Sequence, residues 1–150
     1  MAPARPAHVH RVRVRPADCD HRGVVHSSRY PVFFEAAMVE TLRSLLGSYK
    51  ELERTGIEFV VEEASLRFTG SARFDDLLKI GVRVRSMGTT SVTLGFDVDV
   101  DGVPVATGWH RYVAVGTLEL RHTTIPEGVR KVFQVREAAR REREPARRGT

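Results

Sequence analysis

The run Asp18-Cys19-Asp20-His21-Arg22-Gly23-Val24-Val25-His26-Ser27-Ser28-Arg29-Tyr30 holds the densest chemistry of the 150-residue chain. Two carboxylates precede a glycine, and Ser27 and Ser28 then offer side-chain oxygens suited to capping a helix. Three chemistries could use such a run. A calcium loop also opens Asp-x-Asp with Gly at its sixth position, but its fifth and twelfth ligand positions would here be Arg22 and Arg29, which cannot ligate a cation. Zinc could draw on Asp18, Asp20, His21 and His26, yet neither a thiolate pair nor a zinc-protease spacing accompanies them, so no metal site is expected. The third chemistry uses the helix start itself. Unpaired backbone N–H groups and the positive end of the helix dipole can hold a developing oxyanion. An ionised Asp beside them can attack an acyl carbonyl or take a proton from water. The plainer alternative is an Asp that only caps the helix or forms an Asx turn.

The elements around the run are legible from periodicity. Val9 to Arg15 alternates as a strand, and Pro16 to Gly23 has the composition of a loop. Phe34, Met38, Leu42, Leu45 and Tyr49 then recur at helical spacing, and Pro31 fits only in a first turn, so the helix is expected to start near residue 28. After a polar connection ending at Gly56 the period becomes two. Ile57 to Phe68 reads as a strand whose alternation slips near Val60 and Val61, which predicts a bulge. Leu78, Ile80, Val82 and Val84 alternate, as do Val92, Leu94, Phe96, Val98 and Val100. Asp101-Gly102 is a hairpin turn, and a last strand follows over about Val103 to Val115. Strand, one long helix, then four strands in an antiparallel meander, with no second helix before Pro126, predicts an α+β roll. A helix of ~20 residues spans ~30 Å and needs a broad, curved sheet as its partner.

Composition narrows the function. With 41% hydrophobic residues the chain can build one domain with a real core. The net charge of +5 is concentrated at the C-terminal end: residues 126–150 hold eight basic and four acidic side chains, the other 125 residues sixteen and fifteen. Nucleic-acid binding is therefore not expected. Cys19 is the single cysteine, so no internal disulfide can form and a cytoplasmic setting is expected. No stretch approaches the ~18 apolar residues of a membrane span, and the N-terminus lacks the apolar region of a secretory signal. Residues 1–7 read as a flexible leader, 8–125 as the domain, and 126–150 as a short docked helix around Val129, Val132, Phe133 and Val135 that fades into a basic, disordered tail.

The pattern Asp18-x-Asp20-x-x-Gly23-x-Val25-x-x-x-x-Tyr30, followed by Phe34-Glu35-x-Ala37, resembles the signature of the hotdog-fold acyl thioesterases of the 4-hydroxybenzoyl-CoA thioesterase type. The resemblance runs from about His8 to Val115 and includes Phe68-Thr69-Gly70-Ser71-Ala72-Arg73-Phe74-Asp75-Asp76. It implies a hotdog fold, with one long central helix wrapped by a curved antiparallel sheet of about five strands. It also implies a homodimer or homotetramer with active sites at the subunit interface. By the same resemblance Asp20 is the catalytic nucleophile or general base, and the Ser27 backbone N–H binds the thioester oxygen. Gly23, Val24, Val25, His26 and Tyr30 complete the oxyanion and substrate contacts, and Asp18 supports them. Glu35 is an alternative catalytic group, because another branch of the fold places its carboxylate on the central helix. Two departures stand out. His26 and Ser27 replace the Asn or aromatic residues frequent before the helix, and the turn Ser86 to Ser91 lacks the basic cluster that contacts the nucleotide phosphates in the benzoyl-CoA branch.

The expectation is hydrolysis of an acyl thioester, carried by CoA or by an acyl carrier protein, with no cofactor because the thioester is already activated. Two other readings remain open at this level. Asp20 with His26 could serve a hydratase or dehydratase. A non-catalytic acyl-CoA binding module could grip a ligand carbonyl at the helix start and recruit an acidic partner through its basic end. Cys19 has no assigned His partner, and His110 beside Trp109 and Tyr112 reads as packing. The slip over Val60 to Glu63 and the small segment Gly70-Ser71-Ala72 are expected to shape the pocket.

Overall fold

Alternating strands and two kinds of turn build one five-stranded antiparallel sheet in the computed structural model, which describes residues 6–141. The strands are β1 (His8–Arg13), β2 (Ile57–Phe68), β3 (Leu77–Met87), β4 (Ser91–Val100) and β5 (Val103–Gly116). The helices are α1 (Arg29–Leu46), α2 (Tyr49–Arg54) and α3 (Glu127–Arg141). In space the strands run β1-β3-β4-β5-β2. The expected four-strand meander is thus only three strands long, because β2 pairs with β5 at the far edge rather than with β3. Asp101 (φ 51°) and Gly102 (φ 81°) both adopt positive φ and close the β4–β5 hairpin as expected. The slip in β2 falls between Val61 and Glu63, where one residue is extra.

The single long helix is two. α1 has 18 residues and ends at Gly47, whose φ of 89° turns the chain out of the helix, so Tyr49 opens α2 instead of extending the α1 stripe. Before α1 the chain makes a 3-10 turn at Pro16–Asp18, and Pro31 lies in the first turn of α1 as expected. Of the leader expected over 1–7, Ala7 joins the sheet by donating its N–H to the Val82 carbonyl at 2.8 Å, and residues 1–5 lie outside the described residues. The expected docked C-terminal helix is α3, with Val129 and Phe133 buried and the Arg130 guanidinium donating to the carbonyls of Gly88 and Thr89. The basic tail after Arg141 lies outside the described residues. Among the described residues no helix is long and apolar enough to cross a membrane.

α1 lies against the sheet by way of Tyr30, Phe33, Phe34, Ala37, Met38 and Leu42, all buried. Phe34 stacks on Phe96 of β4, ring centroids 4.5 Å apart and planes within 5°. His110 stands edge-on to both rings and pairs with the Tyr112 hydroxyl at 3.1 Å, a satisfied polar contact inside the core. This approach needs Gly108. A Cβ there would meet the Ser65 carbonyl oxygen at 2.4 Å and the Phe34 ring at 3.0 Å.

The loop before α1 is tied to the helix through Asp18. Its side chain is fully buried and accepts the Arg15 backbone N–H at 2.8 Å and the Arg29 guanidinium at 2.9 and 3.0 Å, with the Arg15 guanidinium at 3.4 Å. Burial pushes the Asp18 carboxyl up, but the Arg15 N–H, the Arg15 guanidinium and Arg29 outweigh it, and its net direction is down.

Both features bear on stability. Gly108→Ala, which drives a methyl into backbone and an aromatic ring, lowers the unfolding free energy by about 2 kcal/mol or more in urea denaturation. Asp18→Asn loses about 2 kcal/mol at pH 7, the size of a charge-assisted hydrogen-bond set exchanged for neutral ones. Asp18 sits below its ordinary value of 3.8 when folded, so its contribution is present above that value and is lost as pH falls through the lowered one. Parent and variant therefore converge in strong acid, and urea midpoints across the acid range check this.

Candidate active site

The chain folds back on itself between Asp18 and His26. The His26 N–H donates to the Asp18 carbonyl at 2.9 Å, the Asp20 N–H to the Val24 carbonyl at 2.9 Å, and the Gly23 N–H to the Asp20 carbonyl at 3.0 Å. Gly23, at φ 77°, closes this turn, so its part is conformational. A second segment flanks it: the Val25 N–H donates to the Ala72 carbonyl at 2.8 Å, and Val24 bridges Arg73. The Ala72 backbone N–H also faces the buried Tyr30 hydroxyl, which burial pushes up and that N–H draws down.

Asp20 stands in the turn with both carboxylate oxygens engaged by Arg22. The Arg22 backbone N–H donates to Oδ1 at 2.8 Å, and its Nε and Nη2 donate to Oδ2 at 3.1 and 2.8 Å. These side-chain bonds, against a weaker opposing effect of desolvation, hold the Asp20 carboxyl below the ordinary carboxylate value. The group is a carboxylate anion at neutral pH.

The start of α1 is capped by His26 and not by a serine. Ser28, at the cap position, makes no side-chain capping bond; its N–H donates to His26 Nδ1 at 3.2 Å, and its hydroxyl lies 2.8 Å from the same nitrogen. Toward the Ser28 N–H, Nδ1 is the acceptor. The N–H groups of Arg29 and Tyr30 go to the carbonyls of His26 and Ser27. The Ser27 N–H has no acceptor among the described residues.

A cavity of about 430 Å³ opens here, and Asp20, Val24, Val25, His26, Ser27 and Tyr30 line it together with His21, Arg22, Phe68, Gly70 and Ser71. Six of the residues expected at the site are thus brought together, and the small segment at Gly70 and Ser71 forms wall as expected. Gly23 shapes the turn behind the cavity. Asp18 does not line it and is the loop's buried, ion-paired anchor. Glu35 is exposed on α1 away from this wall, and its charge acts on Tyr49, His110 and Tyr112. No hydrogen bond joins Asp20 to His26 among the described residues: Arg22 holds the one and Ser28 the other. The Cys19 thiol lies 3.7 Å from the Arg15 carbonyl, and its side chain packs against the core. Two arginines escaped the sequence reading. Arg22 had a local signal, since an Asp two residues before an N–H favours an Asx turn; Arg29, eleven positions from Asp18, had none.

The chain is similar to known proteins over most of its length. Residues 22–105 match the model of the Thioesterase superfamily. The acyl-CoA thioester hydrolase YbgC of Escherichia coli is 30% identical over 124 residues, 82% of this chain and 92% of that protein. The hypothetical protein TT1821 from Thermus thermophilus superposes with a TM-score of 0.79 at 32% identity, covering 85% of this chain and 98% of that one. The BH1999 gentisyl-coenzyme A thioesterase gives a TM-score of 0.75 at 26% identity, covering 85% and 99%. A helix packed on a five-stranded antiparallel sheet, with a carboxylate on a cavity wall at its start, accords with these matches in sequence and shape: the chain belongs to the thioesterase superfamily and has its hotdog fold.

Proposed function

We propose that the chain hydrolyses an acyl-CoA thioester in the cavity that Asp20 lines, releasing the free acid and the thiol. One observation carries the reading. The Asp20 carboxylate and the Ser27 N–H, which has no acceptor among the described residues, lie on the wall of one cavity at the N-terminus of α1. The acyl carbonyl oxygen takes the Ser27 N–H and the positive end of the helix, which stabilise the charge it gains as the carbonyl carbon becomes tetrahedral. Asp20 then acts in one of two ways. As nucleophile its oxygen adds to that carbon, the C–S bond breaks and the thiolate leaves; one water then cleaves the resulting anhydride, its hydroxyl going to the acyl carbon and its other proton to the thiolate, and the Asp20 carboxylate is restored. As base it removes the proton of a water that adds directly, and that proton leaves with the thiol. Val24, Val25, His26 and Tyr30 border the acyl group, and no cofactor enters either route. The likeness to YbgC and to a gentisyl-coenzyme A thioesterase supports CoA as the carrier. Cys19, a free thiol, suits the reducing cytoplasm.

The working unit in this reading is a homodimer built on β2. This strand forms one edge of the sheet, and Val60, Val61 and Phe68 are 49%, 41% and 49% exposed along it. An open edge with large apolar side chains is a template for a second strand. Phe68 also lines the cavity, so a partner there would complete its wall.

The decisive assay measures thiol release from short, long and aromatic acyl-CoA thioesters. Asp20→Asn, shown to be folded by its unfolding transition, lowers release by a factor of about 10² or more. Full activity in the variant would move the chemistry to Glu35 or elsewhere. Saturable acyl-CoA binding with no thiol release in the parent would favour a binding module, and release from acyl carrier protein alone would change the carrier. For assembly, Val61→Lys shifts sedimentation from dimer to monomer; a parent that sediments as a monomer would remove the shared cavity.

A further inference from the structure

Arg22 grips Asp20 with three donors from one residue, its backbone N–H on Oδ1 and its Nε and Nη2 on Oδ2. An ionised carboxylate offers about four lone-pair positions; the Arg22 donors take three, the Val24 N–H also faces the carboxylate, and the turn decides where its oxygens point. The pair is asymmetric in exposure. The Arg22 side chain is 69% exposed and the Asp20 side chain 12%, so the cation forms the solvent side of the pair while both groups line the cavity. A mobile surface ion pair is worth little, because two long side chains must be ordered to make it. Here the backbone bond within the turn orders the acid first, and the planar guanidinium fork closes on an oxygen already in place.

We propose that Arg22 is a positioning residue of the hydrolysis, acting through Asp20: it aims the carboxylate into the cavity. The proposal rests on the reading of Asp20 as the reacting group. A neighbouring cation stabilises the anion in its resting state and so lowers its basicity; what the clamp returns is orientation, and small misplacements of a reacting group are costly in rate. Charge and orientation are separable by substitution. A lysine in place of Arg22 would carry the charge as a point without a fork, whereas a glutamine would carry neither the charge nor the two-pronged geometry.

The test compares the parent, Arg22→Gln and Arg22→Lys, with Asp20→Asn as the reference for the underlying reading. Two readouts are taken: kcat and KM across pH for the best acyl-CoA of the panel, and the carbon-13 NMR titration of the Asp20 carboxyl in resting protein, which needs no turnover. In Arg22→Gln the carboxyl titrates at higher pH than in the parent, and the acid limb of kcat/KM moves up with it. At neutral pH, where Asp20 stays ionised, kcat falls about tenfold and KM changes less than about twofold, the mark of lost orientation rather than lost binding. In Arg22→Lys the acid limb returns toward the parent's while kcat stays low. An Arg22→Gln protein with the parent's carboxyl titration, pH profile and kcat overturns the proposal and leaves an ordinary surface pair. An Asp20→Asn protein as active as the parent overturns it from the other side, by removing Asp20 from the reaction, and the titration then reports on the clamp alone.

Discussion

The buried Asp18 carboxylate is the constraint on which the site geometry rests. Placing an anion where no water reaches costs several kcal/mol unless hydrogen-bond donors surround it. Here the donors come from both sides of the loop: Arg15 before it and Arg29 in the first turn of α1. The loop cannot move away from the helix without stranding that charge. The distance between the turn that carries Asp20 and the helix start that carries Ser27 is therefore held by electrostatics, and the His26 N–H on the Asp18 carbonyl reinforces it at the same end. Arg29 also lies 5.9 Å from the Phe33 ring, so the ion pair is tied in turn to the apolar face of α1.

The other wall of the cavity is held by backbone. Ala72 is wholly buried; its carbonyl takes the Val25 N–H while its own N–H faces the Tyr30 hydroxyl. One residue thereby joins the turn, the helix and the segment entering β3. The sheet's contribution is depth. Gly108 lets α1 settle until Phe34 stacks on Phe96, and Phe68 at the end of β2 then stands 5.5 Å from Tyr30 at the cavity's edge. A looser helix would move Ser27 and Tyr30 together away from Asp20.

Much of this was legible because it is local. The ends of β2, the positive-φ pair Asp101-Gly102 and the Phe34–Met38–Leu42 stripe are written in adjacent residues, where sterics and periodicity act directly. The family pattern around Asp20 was legible for the same reason. The neighbours of β2 were not, because alternation states which face is buried and is silent on which strand lies alongside; that choice is made by the α1–α2 excursion, which carries the chain to the β5 edge. The break at Gly47 was masked by Tyr49, whose spacing continues the helical stripe although its backbone belongs to a new helix. The serines before α1 looked like caps, and a histidine ring takes that place, a competition that residue preferences do not resolve.

Asp18 and Asp20, two residues apart, show how one loop gives the same ionised group two different settings. Both carboxyls are drawn below their ordinary value by arginine, yet the buried one is enclosed by donors from separate elements, and the other by Arg22 and the Val24 N–H of its own turn. Donors from separate elements join what they touch, so removing that carboxylate loosens the loop from the helix. The Arg22 donors come from the same turn as Asp20, so that pair adds little to the fold and its ordering acts mainly on the carboxylate. A structural tie gains from complete burial, whereas the reacting role proposed for Asp20 needs an open lone pair and a path for water. Asp18 closes the 3-10 turn Pro16–Asp18 and is buried, whereas Asp20 stands in the turn that follows, on the cavity wall.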